Sequence, residues 1–186
     1  MDGMRTYPDA YVKYLAVFHG ARDFFECHEI MEEYWKSQSG ARHEKCWLTL
    51  IRIAVACYHA RRGNWPGARK MMDKALQDMN PVLMDELGLD GRRLAGLMRD
   101  ALHRWTYEKD TAYEDPDLPV ADPALLGEAI LVCRENGWTW GTPSHAVAPD
   151  VIHRHLMRDR TEVIKARNEA ARKKREARRN HGQENI

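Results

Sequence analysis

Residues 24–35 read FFECHEIMEEYW. Large apolar side chains recur at three- and four-residue steps, the period of an α-helix rather than a strand. With His28 set at zero on a wheel of about 100° per residue, Phe24 falls at about −40°, Trp35 at about −20° and Met31 at about −60°. Glu32 falls at about +40° and Phe25 at about +60° on the same wheel. His28 and Glu32 thus share the face of the large apolar residues, while Glu26, Glu29 and Glu33, at roughly 100° to 160°, form a separate water face. An inward carboxylate needs a cation, a metal or a set of hydrogen-bond donors.

Helical periodicity continues on both sides of this stretch, between clear stop signals. A first helix is expected from about Pro8 to His19, ending at Gly20, and the second from about Asp23 to Ser37. A third covers Arg42 to Arg62 and stops at Gly63, where a left-handed residue fits. Asn64 caps a fourth helix that carries Pro66 early and runs to about Met79, before Asn80-Pro81. A short piece follows at Val82 to Leu87. Asp90 then caps a strong fifth helix with Leu94, Leu97, Met98, Ala101, Leu102 and Trp105 on one face. No stretch alternates with period two, so the fold class is all-α: a compact bundle of about five helices with a C-terminal helical extension.

The domain organisation expected is a bundle over residues 1–109, a linker with an added helix and loop over 110–149, and a basic helical tail over 150–186. The segment from Asp110 to Asp122 is rich in Asp, Pro and Tyr and marks a linker or an ordered surface excursion. Asp122-Pro123 opens the added helix, which stops at Gly137. The last helix starts near Val151, has a modest apolar stripe (Ile152, Leu156, Val163, Ile164), and is expected to fray beyond about Ala166.

At 186 residues the chain fits one domain with an appendage. Four cysteines, at 27, 46, 57 and 133, lack the spacing of a disulfide framework and read as reduced thiols. No apolar run reaches the length of a membrane span and no signal-peptide pattern opens the chain, so no membrane role and a cytoplasmic location are expected. Residues 150–186 hold 11 Lys+Arg against 6 Asp+Glu, and the rest holds 18 against 22, a mildly acidic body with a basic tail.

The third helix is apolar almost all round from Trp47 to Ala60, with Thr49, Arg52 and His59 as exceptions. Arg52 and His59 lie seven apart and within about 20° on the wheel. His28, Glu32, Arg52 and His59 therefore form the candidate site, expected to converge between two packed helices. Two readings are open. In one, His28, Glu32 and His59 hold a divalent metal such as zinc or perform acid–base work. In the other, Arg52 neutralises Glu32 within a structural polar network. HEIME has Glu32 where a zincin would have its second histidine, so it is not a zincin motif. Trp35 and Trp47 read as packing residues and Cys27 as an inert thiol, while Arg61, Arg62 and Arg69 around the Gly63 turn could hold an anion.

FHGARDFFECHEIMEEYW followed by LIRIAVACYHARRGNWPGARKMM resembles the bacterial and archaeal family catalogued as domain of unknown function 309. Its hallmark, H-x-x-x-E-x-x-W/Y, is matched by His28, Glu32 and Trp35. The resemblance implies an α-helical bundle with a suspected metal site, some members being labelled metal-dependent hydrolases. This chain has Arg52 where similar sequences usually carry glutamine, and a guanidinium there would compete with a cation for Glu32. The leading reading is a hydrolase using His28, Glu32 and His59. The alternative is a binding or adaptor protein whose tail, ARKKREARRN, meets nucleic acid or an acidic protein; Glu162, Glu169 and Glu176 dilute that charge. A homodimer, burying the surplus tryptophans, is the third expectation.

Overall fold

The computed structural model describes residues 7–108, 110, 112–154 and 167–175. The helices are α1 (Asp9–Ala16), α2 (Phe24–Lys36), α3 (Glu44–Arg61), α4 (Trp65–Asp78), α5 (Pro81–Glu86), α6 (Gly91–Tyr107), α7 (Pro123–Glu135) and α8 (Pro149–Ile152). The class is all-α. Among the described residues no strand forms, only an isolated antiparallel bridge between Leu89 and Val120.

Side-chain caps start most of the long helices. Asp23, Asn64, Asp90 and Asp122 each accept a hydrogen bond from a backbone N–H of the first turn, as does Asn80 for the short α5. Gly63 takes φ +75° after α3, the left-handed value expected of a helix stop. The first helix differs from expectation. It changes at Val17 into a π-helical turn, Val17–Ala21, and ends on Arg22 at φ 54°. A side chain at Gly20 would collide with Cys133 Sγ at 2.8 Å and Trp138 Cβ at 3.0 Å, so α7 and the loop after it can close on this turn only because residue 20 is glycine.

α3 is the central helix, packed between α2 and α4; α4 packs on α6, and α1 on α2 and α7. Tyr11, Tyr14, Phe18, Phe24, Met31, Leu50, Met84, Leu94 and Leu125 are fully buried. Two of the buried phenols still find acceptors, Tyr14 Oη donating to Leu50 O at 2.7 Å and Tyr11 Oη to Leu87 O at 2.8 Å. Trp47, 3% exposed, packs at steep ring angles against Tyr11 and Tyr34, in keeping with a packing role. All four cysteines are buried and free. Burial pushes Cys46 up to about 11 and Cys57 up to about 12, and raises Cys27 well above the ordinary thiol value.

The Asp-, Pro- and Tyr-rich segment is woven into the body. Asp90 N donates to Pro119 O at 2.8 Å, and Ala121 N and Asp122 N donate to Gly88 O. Leu118 is 5% exposed. His19 holds the same segment from inside. Its Nδ1 contacts Leu15 O at 2.8 Å and its Nε2 contacts Leu118 N at 2.9 Å, so the partners set the tautomer: Nδ1–H donates and Nε2 accepts. The imidazole stacks on Trp140 at 4.1 Å, and the backbone N–H groups of Gly141 and Thr142 donate to His19 O.

The chain divides into two compact units, Met1–His153 and Arg154–Ile186. In the second, residues 167–175 are helical and exposed, where fraying is expected from composition. The expected apolar positions Leu156, Val163 and Ile164, and the end of the basic run, lie outside the described residues. No described helix is long and apolar enough to cross a membrane.

Candidate functional site

The structure brings His28 and Glu32 together but not at the core. His28 Nε2 lies 3.5 Å from Glu32 Oε2, and the side chains are 29% and 34% exposed. Glu32 also pairs with Lys36 at 3.2 Å, while His28 Nδ1 faces Glu29 at 3.4 Å. The inward direction is thus corrected. The buried residues of α2 are Phe24, Cys27 and Met31, whose mean direction is about −70° on the wheel used above. His28 lies about 70° and Glu32 about 110° from that centre, at the flank of the helix.

Arg52 and His59 are held elsewhere. Arg52 pairs with Asp78 at 2.5 Å and donates to Lys74 O at 3.0 Å, both on α4, so it does not neutralise Glu32. His59 Nδ1 accepts from the Asn64 amide at 3.1 Å, and partial burial, with Arg62 close by, lowers its pKa. Among the described residues no three His, Cys, Asp or Glu side chains gather in a way that could hold a metal. Glu29 and Glu32 address opposite nitrogens of the His28 ring, so even these neighbours do not converge on one point. A catalytic zinc takes about three protein ligands. The residues present therefore do not fit the expected centre. Arg61, Arg62 and Arg69 also part ways, to Arg22 O, His153 Nδ1 and Trp105 O respectively.

Two arrangements that sequence reasoning missed stand out instead. The first is a buried charge cluster under the segment 113–118. Arg22, 3% exposed, donates to Thr142 O at 2.8 Å, Pro116 O at 2.9 Å and Asp117 Oδ1 at 2.8 Å. Its own carbonyl accepts from Arg61 Nη1 at 2.7 Å. The Arg61 guanidinium lies over the Phe24 ring at 4.4 Å and faces Asp115 at 3.6 Å, with side chains 4% and 1% exposed. Neither Asp115 oxygen makes a hydrogen bond of ordinary geometry. These contacts hold an otherwise irregular segment down on α3.

The second is a cavity of about 860 Å³ between α3, α4, α6 and that same segment. Its wall includes Ile53, Met72, Leu94, Met98, Trp105 and Leu118, with Trp65, Leu97, Arg69 and Arg104 also lining it. The Cys57 thiol and Tyr113 line it too. Burial, the Cys57 thiol and the Asp115 carboxylate hold the Tyr113 hydroxyl well above its usual pKa, so neither group supplies an ionised nucleophile near neutrality. The volume lies within the range of small-molecule sites, and the wall mixes apolar side chains with the charged Arg69, Arg104, Glu108, Glu114 and Asp117. Leu97, which the sequence places on the apolar face of α6, remains 38% exposed.

The family described as a domain of unknown function (DUF309) matches residues 11–71, from α1 into α4. Over 174 residues the chain is 38% identical to the uncharacterized protein YpuF of Bacillus subtilis (strain 168), spanning 92% of this chain and 99% of that protein. It is 37% identical over 57 residues to an uncharacterized protein of Aquifex aeolicus (strain VF5), spanning 31% of this chain and 17% of that one. No solved structure matches the chain. With a relative that aligns almost end to end and a family match that contains the His28, Glu32 and Trp35 hallmark, this chain belongs to the DUF309 family.

Proposed function

We propose that this protein is a binding module that takes a small apolar or amphipathic molecule into the cavity between α3, α4 and α6. One observation carries the reading: about 860 Å³ of space sits against Met72, Leu94, Met98 and Trp105, where a bundle of this size would otherwise close. Methionine side chains adapt to the shape of an occupant, and the indoles of Trp65 and Trp105 offer broad apolar faces beside polar N–H groups. The neutral fluorophore Nile red should bind saturably at one site per chain. Leu97→Trp, at a partly exposed lining position, fills the mouth and should abolish that binding while the circular dichroism spectrum stays helical. Absence of saturable binding to the wild-type protein, or equal binding by the filled variant, refutes the reading.

A second reading, hydrolysis at the hallmark pair, is favoured by the 3.5 Å approach of His28 to Glu32 at an accessible flank, where water reaches both groups. Hydrolysis of p-nitrophenyl acetate by the wild-type protein and by Glu32→Ala decides it. A rate lost in the variant supports this reading, and equal rates in the two proteins remove it. The variant should stay folded, because half-exposed ion pairs contribute less than about 1 kcal/mol.

A further inference from the structure

An open groove of about 510 Å³ adjoins the cavity on the outer side of α4 and α6. Arg69 and Thr106 line both. The groove's other polar residues are the charged Lys70, Arg99 and Asp73 and the imidazole of His103. Against one carboxylate, Asp73, which accepts a hydrogen bond from Gln77 at 3.0 Å, stand Arg69, Lys70 and Arg99, and the last two form no ion pair among the described residues. This concentration of cations stands on a body whose Lys+Arg and Asp+Glu counts over residues 1–149 are 18 and 22, a net −4. The acidic side chains that line the cavity, Glu108, Glu114 and Asp117, come from α6's C-cap and the segment 112–118, and Asp117 is committed to Arg22. Apolar space and positive charge therefore lie side by side, with Arg69 on the border, anchored by its bond to Trp105 O.

We propose that the occupant is an anionic amphiphile, its apolar part in the cavity and its head, a carboxylate or a phosphate monoester, in the groove on Arg69, Lys70 and Arg99. The inference rests on the cavity reading above and adds the chemistry of the head group. Charge on the groove side is strengthened by the low-dielectric wall of the cavity beside it, so an anion there gains more than it would on an open surface. A neutral amphiphile fills the cavity equally well but leaves the groove to water.

Calorimetric titration with decanol, decanoate, decyl phosphate and decyltrimethylammonium, each below its micelle-forming concentration, tests the head separately from the tail. Decanoate and decyl phosphate should bind at least about tenfold more tightly than decanol, and the margin should shrink at high salt. The exposed double variant Lys70→Ala/Arg99→Ala should bring the anions close to decanol and leave decanol unchanged. A larger margin for decyl phosphate than for decanoate identifies a phosphate head, and the reverse a carboxylate, both within the proposal. If decanol binds as tightly as the anions, or the cation binds best, the head-group inference fails while the cavity reading stands. If none of the four binds, the head-group inference fails, and Nile red binding decides the cavity reading separately.

Discussion

Asp115→Ala should lower the unfolding free energy by about 3 to 5 kcal/mol, the cost typical of removing one member of a buried ion pair. The carboxylate is 1% exposed and faces an Arg61 guanidinium that is itself 4% exposed at 3.6 Å. Without it, Arg61 keeps its charge, since a guanidinium does not deprotonate, and has only the Arg22 carbonyl and the Phe24 ring for compensation. The pair itself adds little, because both carboxylate oxygens lack ordinary hydrogen bonds and both ions have lost their water. Replacing both partners, Arg61→Met with Asp115→Leu, should therefore recover most of the loss. Urea unfolding of the two single variants and the double closes the cycle. A single variant within about 1 kcal/mol of wild type would show that the pair is solvated in solution.

Acidification should cost about 2.5 kcal/mol of stability between about pH 7.5 and 4.5 through His19 alone. Its folded pKa is lowered to about 4, first by burial and then by the nearby Arg22 charge. The bond to Leu15 and the Asp117 charge act in the opposite direction. The sign follows from proton counting. Between the ordinary value of 6.5 and about 4 the unfolded chain binds a proton that the folded chain refuses, so stability rises with pH across that window and is lost as pH falls through it. Protonation at Nε2 would also set an N–H against the Leu118 N–H that now donates to it. His19→Gln, compared with wild type by urea unfolding at several pH values, should flatten the slope by this amount. A slope unchanged by the substitution would place the titration elsewhere.

The elements of this fold were legible where one residue decides a boundary. Asn64 and Asp90 cap the helices expected of them, and Asp23 and Asp122, where helices were expected to open, cap them too, because an Asx side chain before an apolar period has few other uses. The face of α2 was legible only in part. Reading it from Phe24, Trp35 and Phe25 centres the wheel on His28, whereas Cys27, small and fully buried, pulls the true centre toward Met31. The pair His28 and Glu32 was therefore found and its surroundings were not. Nothing local could announce the charge cluster: Arg22, Arg61 and Asp115 are far apart in sequence, and Asp115 lies in a segment whose composition reads as surface. Arg22 is harder still, since its left-handed backbone follows from a π-helical turn that no residue pattern requires. Cavities escape sequence altogether, because they depend on how far helices stand apart rather than on which residues face inward.

The four thiols give the molecule a property of another kind. Each is at most 1% exposed, and they are distributed over α2, α3 and α7. A thiol that is hidden and protonated does not react with alkylating reagents, which attack through the thiolate. Labelling can then proceed only during moments when the surrounding helices separate, so the speed at which each cysteine acquires a mass tag records how often its own neighbourhood opens. Cys46 and Cys57 sit near opposite ends of the central helix, Cys27 on its neighbour and Cys133 beneath the π-helical turn. The chain thus carries four internal clocks, readable by mass spectrometry without any engineered probe.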